Sequence, residues 1–303
     1  MTGWLDQPLL DLDEVDLDRA GSVTYLLHQV FRYDYDGPAY DVRQRLVALP
    51  RPRHGNFHRR AQHVEVADPG GVLGRPHAAT DPVGNAVVEV ELPTVPVSVE
   101  FTLAALVERV GPPADAVLPA AALTDPRHLV PTRLTSPDHR LWDLAEELRS
   151  AYPDDAALAE ALCLRLRAEF TFELDSTSVF TTAAEAYGLR HGVCQDFAHV
   201  MLTVCRALGI PARYVSGHLL GERGGSHAWV EVLVPDPAGA RALAFDPTNG
   251  SRAGARHLPV AVGRDYADVA PTSGVYSGPA QGALTWTKRA GVVAVTRDLV
   301  LER

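Results

Sequence analysis

From Ser22 to about Leu106 the apolar residues come in short alternating runs, such as Val23 to Tyr33, His63 to Ala67 and Ala86 to Leu92, separated by clusters of Pro, Gly and Asn. That pattern predicts strands joined by turns. The stretch Asn85-Ala-Val-Val-Glu-Val-Glu-Leu92 follows an Asp81-Pro-Val-Gly84 turn signal, and Val95 to Leu103 continues the alternation as an antiparallel meander would. Between Gly111 and Pro137 proline and alanine dominate with no sustained period, which predicts a connector. The period then changes. Leu141, Leu144, Ala145 and Leu148 recur at helical spacing, and Asp154 and Asp155 open a second helix through Leu158, Leu162, Leu166 and Phe170. A third helix starts at Val193 or Cys194, carries the stripe Phe197, Met201, Val204, Cys205 and Leu208, and stops at Gly209 and Pro211. Strand-like runs follow at Ala212 to Val215, Ala228 to Val234 and Ala242 to Phe245.

The expected class is α+β. The expected division is an acidic tail over 1–21, an antiparallel β domain over 22–110, a connector over 111–136, and a helix-then-sheet half with C-terminal strands over 137–303.

A chain of 303 residues with 46% apolar composition has enough apolar material for one large core or two modest ones. Its net charge of -10 disfavours nucleic acid and anionic membrane as partners, since both require dense positive surface. Asp6, Asp11, Asp13, Glu14, Asp16 and Asp18 stand where a secretory signal would need a basic start and an apolar run. No apolar segment approaches the roughly 20 residues that span a bilayer. Cys163, Cys194 and Cys205 cannot all be paired within the chain, so a reducing cytoplasm is the expected location. No cofactor is expected. No metal site is expected either, because His54, His58 and His63 pair with no Cys or Glu at a familiar ligand spacing.

Three residues carry the chemistry. Cys194 falls on the first turn of an apolar helix behind Gly192, where unpaired N–H groups and the positive helix end stabilise a thiolate. A buried structural cysteine is the plainer alternative. His227 lies at the mouth of a strand after the Gly224-Gly-Ser226 loop, a rigid edge suited to a general base, although a histidine there is also commonly structural. Asp246 ends the next strand and could hold the far imidazole nitrogen; alone it would read as an Asp-Pro turn starter. The backbone N–H of Cys194 is a natural oxyanion donor, with Thr177, Ser178 and Tyr187 as upstream candidates for the second. Gln195, Asp196, Ser226 and Trp229 are the other candidates for a place near substrate, while Gln195, Asp196 and His199 could equally anchor the helix.

Four blocks, Gly192-Val-Cys-Gln-Asp-Phe-Ala-His199, Leu208-Gly-Ile-Pro-Ala-Arg-Tyr-Val215, Ser226-His-Ala-Trp-Val-Glu231 and Phe245-Asp-Pro-Thr-Asn249, resemble the core of the bacterial transglutaminase-like family. Phe31-Arg-Tyr-Asp-Tyr35, Leu49-Pro-Arg51 and Asp81-Pro-Val-Gly-Asn85 resemble that family's N-terminal β region. The resemblance implies a papain-like fold in which the Cys helix packs on an antiparallel sheet, with Cys194 as nucleophile, His227 as base and acid, and Asp246 as orienter. It also places Val260 to Val269 beside the substrate groove. Where family members often carry aromatic residues, this chain has Ala242, Ala244 and His218, which puts the expected groove walls in question.

The expected function is cleavage of a peptide, isopeptide or small amide bond through a Cys194 thioester. Transfer of the acyl group to an amine is the alternative, and a non-catalytic binding protein is the second. Oligomeric state is not legible.

Overall fold

The computed structural model describes residues 3–221 and 224–296. The N-terminal strands are longer than the apolar runs suggest: β1 (Ser22–Tyr35), β2 (Ala39–Leu49), β3 (Phe57–Asp68), β4 (Ala86–Val95) and β5 (Ser98–Val110). Alternation decides their faces, as in β1, where Val23, Tyr25, Leu27 and Phe31 turn inward. The expected turn before β4 forms at Gly84, whose φ of 87 suits glycine; Asp81 accepts the N–H groups of Val83 and Asn85 at 2.9 and 2.8 Å.

Four longer helices follow, α1 (His139–Ala151), α2 (Asp155–Glu169), α3 (Ala183–Leu189) and α4 (Cys194–Ala207). The first three begin at Asp138, Asp154 and Thr182, whose side chains each accept a first-turn N–H. Helix α4 differs. Its residues from Gln195 to Arg206 are all buried, so it is a central rod packed on every side. It ends as expected, with Gly209 at φ 71 and Ile210 N–H donating to Cys205 O at 2.9 Å.

The second half builds an antiparallel sheet from β6 (Ala212–Leu219), β7 (His227–Asp236), β8 (Gly239–Asp246) and β9 (His257–Gly263), ordered β8-β7-β6-β9. Ala228, Val230 and Val232 join the large core that includes α4, while Trp229 clusters with Val215 and Val262 in a separate group.

The remaining strands depart from the expected division. Strand β10 (Thr272–Ser277) pairs with β2, and β11 (Gly282–Thr296) pairs with β1 along its whole length. The C-terminal strands therefore complete the N-terminal β domain instead of extending the helix-then-sheet half, giving sheets ordered β11-β1-β5-β3 and β10-β2-β4. The connector is also built in, because Ala116–Leu118 adds a strand to β8. The acidic tail is docked, not free: Leu17 and Ala20 are buried, Leu10 N–H donates to Val292 O at 2.8 Å, and Arg109 donates to Leu17 O. Charge alone misled there, because its apolar residues find sites on the sandwich.

Polar side chains tie the two halves together. Buried Asn85 exchanges hydrogen bonds with the main chain of Val262 at 2.8 and 2.9 Å, imitating a strand pair. Glu231 on β7 accepts from Arg213 on β6 at 2.6 Å and is bonded to His54 of the β domain at 2.7 Å. Burial opposes its charge, yet Arg213 and His54 hold its carboxyl well below the usual range. Glu231→Gln leaves a buried guanidinium without its anion, and should lower the free energy of urea unfolding at pH 7 by about 3 kcal/mol. A loss below about 1 kcal/mol would show that this cluster contributes little to holding the halves together.

Candidate active site

The site forms where three elements begin or end. Cys194 is the first residue of α4 and is half-buried. Asp196, three residues past the N-cap Val193, accepts Val193 N–H at 2.8 Å and the Thr177 hydroxyl at 2.6 Å, which fixes the chain just before the cysteine. Burial pushes the Asp196 carboxyl up against those hydrogen bonds. His227 opens β7 and Asp246 closes β8, and the imidazole Nε2 is 2.7 Å from Asp246 Oδ2. The other ring nitrogen is left free of Asp246, and the Cys194 sulfur is near enough to help raise the imidazole.

Asp246 is fully buried and heavily satisfied. Its Oδ1 accepts the N–H groups of Thr248 and Asn249 at 3.0 and 3.2 Å; Oδ2 accepts from Asn249 Nδ2 at 2.8 Å and from His257 Nε2 at 3.0 Å. Burial opposes its charge, but His227 and His257 hold the carboxyl well below the usual carboxylate range. For His227 burial likewise opposes the charged form, and the bonds and charges of Asp246 and Cys194 outweigh it, raising the imidazole to about 10. At neutral pH the ring is then an imidazolium beside the sulfur.

His257, at the start of β9, was not legible as a site residue. Its Nδ1 accepts Gly254 N–H at 3.0 Å, so the neutral ring carries its proton on Nε2 and donates it to Asp246. The same tautomer argues against a metal among His227, Asp246 and His257, although their ligand atoms lie within 4.8 Å of one another. To bind a cation His257 would have to move its proton to Nδ1, against the Gly254 donor.

Cys194 and His227 open on a groove of about 1140 Å³ that also touches Tyr214, Tyr266, Phe172 and Trp286. Gln195 and Ser226 also line it. Asp196 and Trp229 do not. Asp196 is spent on the helix cap, and strand alternation turns Trp229 to the other face, edge-on to His257 with centroids 5.3 Å apart. The upstream oxyanion candidates lie outside the groove lining: the Thr177 hydroxyl donates to Asp196, the Ser178 N–H donates to the Thr181 hydroxyl, and the Tyr187 ring packs on Phe170. Of the expected groove stretch, Tyr266 reaches the groove. His199 is buried, pushed down to about 3 by burial, and receives Tyr266 N–H at 3.2 Å.

Ala242, Ala244 and His218 lie outside the groove lining, so the departures from family pattern leave its walls intact. Ala242 and Ala244 line a separate cavity, and His218 sits under the glycine loop with Nδ1 3.3 Å from Gly225 O. Cys163 and Cys205 are buried and pushed up to about 12, which leaves both as thiols.

Residues 143–247 match the Transglutaminase-like superfamily. The chain carries a transglutaminase-like core. An uncharacterized Mycobacterium leprae protein is 36% identical over 160 residues, 50% of this chain and 55% of that one. The protein-glutamine gamma-glutamyltransferase of Pseudomonas aeruginosa is 34% identical over 119 residues, 35% of this chain and 17% of its own length. The chain thus spans about half, or less, of the curated relatives it matches. A Cytophaga hutchinsonii crystal structure, provisionally described as a cysteine protease, shares the fold: TM-score 0.71 and 21% identity, covering 90% of this chain and 91% of that one. Around the transglutaminase-like core, then, the β domain is part of a recurring fold.

Because the imidazole is raised, its bonds stabilise the folded state fully below its unfolded value near 6.5 and cease to do so as pH rises through about 10. Asp246→Asn removes the anion and should bring the His227 titration, followed by ring-carbon NMR, at least one unit below about 10. An unchanged titration would mean that Asp246 does not hold the proton.

Proposed function

We propose that this chain is a cysteine-dependent acyl-transfer enzyme that cleaves amide bonds through a thioester on Cys194. The observation that carries the reading is His227, held by Asp246 at 2.7 Å and lining one groove with Cys194, the one cysteine of the three that does so.

In the first half of the reaction the Cys194 sulfur adds to the amide carbonyl carbon, and the carbonyl electron pair moves onto oxygen. The intermediate collapses by re-forming C=O and breaking the C–N bond, while His227 gives its proton to the departing amine. Asp246 stays ionised and keeps the ring aimed. In the second half, His227 takes a proton from water or from an incoming amine, which attacks the thioester and releases Cys194.

Hydrolysis is the favoured outcome, since the groove is open and water reaches the thioester without a dedicated channel. The similarity to a protein-glutamine gamma-glutamyltransferase favours an amine acceptor as the second reading. A peptide or protein amide is the substrate class that the family relationship supports.

Iodoacetamide should modify Cys194 faster than a free cysteine and spare Cys163 and Cys205. His227→Ala should abolish that advantage and lower amide turnover by about 10²–10⁴-fold. Turnover should also fall above about pH 10, as the imidazolium loses the proton it must donate. If Cys194 instead labels no faster than a free cysteine and mass spectrometry finds no acyl adduct, the binding-protein alternative stands.

A further inference from the structure

Addition of sulfur to a carbonyl creates an oxyanion that needs two donors fixed in advance. The Cys194 N–H is one. As the first residue of α4 it has no partner within the helix, and no acceptor is bonded to it among the described residues. None of the residues considered upstream of Cys194 for the second donor lines the groove.

The other side of the sulfur is different. Tyr214 lies in β6, paired with Val230 on one side and Gly263 on the other, and only 2% of it is exposed. Its ring packs against His199, centroids 5.4 Å apart, and His199 in turn holds the Tyr266 main chain. Yet Tyr214 lines the groove together with Cys194. Its hydroxyl has no hydrogen-bond partner among the described residues, and is not one of the partnerless polar atoms sealed from solvent. The phenol oxygen is therefore the part that opens on the groove. A donor left without a partner on a rigid central strand costs stability, and such a cost is tolerated where the group acts on a ligand.

We propose that the Tyr214 hydroxyl is the second oxyanion donor, acting with the Cys194 N–H on the carbonyl oxygen as the thiohemiketal-like intermediate forms; this rests on the acyl-transfer reading above. The phenol gives a hydrogen bond and keeps its proton throughout, so no proton transfer is added to the scheme. Burial, followed by the nearby Cys194 charge, pushes the phenol well above its usual range, and it remains a donor across the working pH range. Tyr266 also lines the groove with a phenol near Cys194, but it is less buried and stands on a four-residue helix, Tyr266–Val269. It is the natural comparison.

Tyr214→Phe removes one oxygen and keeps the packed ring. Two probes separate its roles in the full chain. Acylation of Cys194 by p-nitrophenyl acetate passes through an oxyanion and needs no protonated leaving group; alkylation by iodoacetamide displaces iodide and forms none. Tyr214→Phe should slow acylation about 10²-fold and leave alkylation within about twofold, with unchanged circular dichroism and melting temperature. Tyr266→Phe should change acylation much less. Equal losses with both probes would mean that Tyr214 acts on the sulfur, and would overturn the assignment. So would unchanged acylation, or a larger loss in Tyr266→Phe. A wild-type protein that alkylates readily but never acylates would remove the acyl-transfer reading itself, and the assignment with it.

Discussion

A buried carboxylate organises this molecule. Asp246 has no exposed surface, and an ion in such a place costs several kcal/mol unless its lone pairs are met by donors. Those donors come from separate parts of the chain: His227 from the start of β7, His257 from the start of β9, and the turn 248–249 directly after β8. Helix α2 joins in through Cys163, whose thiol donates to the Asp246 main-chain oxygen at 3.4 Å. The strand order β8-β7-β6-β9 and the packing of α2 must therefore be in place before the charge is tolerable. The same requirement leaves the imidazole of His227 with one orientation, toward the sulfur.

The β domain shares in that constraint. Tyr25 of β1 donates to Ala255 O at 2.9 Å, holding the loop that leads into His257, and Arg109 of β5 donates to the Tyr25 hydroxyl at 3.3 Å. Asn85 splices β4 to β9, and His54 meets Glu231 behind β7. Each of these bonds fixes a strand that carries a site residue. With β10 and β11 closing the two sheets from the C-terminal side, the domain's first and last strands are hydrogen-bonded neighbours, so neither half of the chain folds around a core wholly its own.

The residues legible in the sequence share one property: they stand at element boundaries with local signals. Cys194 follows Gly192 at a helix start, His227 follows a glycine loop, and Asp246 precedes Pro247. What was hidden depends on distance along the chain or on strand parity. Nothing near Gly282–Thr296 says that it will pair with residues some 260 positions earlier. Trp229, two residues past His227, reads as a groove residue until alternation turns it to the face away from α4. His257 has no local mark beyond opening an apolar run, and becomes informative only when the register of β9 brings it to Asp246. Tyr214 lay inside a recognised block, but its meaning comes from the hydroxyl lacking a partner, which a sequence does not record.

The matched core ends at residue 247, and this boundary divides the groove chemically. Cys194, His227, Asp246 and Tyr214 lie within it, and under the proposed mechanism they complete the first half of the reaction, up to the thioester. Tyr266 lies beyond it, as do Trp286 and Lys288 on β11, a strand of the other domain. Lys288, the only lysine in the sequence, donates to Gly225 O at 2.9 Å in the loop that leads into His227. That bond ties the β11 wall of the groove to the loop that leads into His227, so the wall and the imidazole are positioned together even though β11 belongs to a different sheet. Under the proposed mechanism, the choice of acceptor in the second half, water or amine, falls to groove walls that lie partly outside residues 143–247.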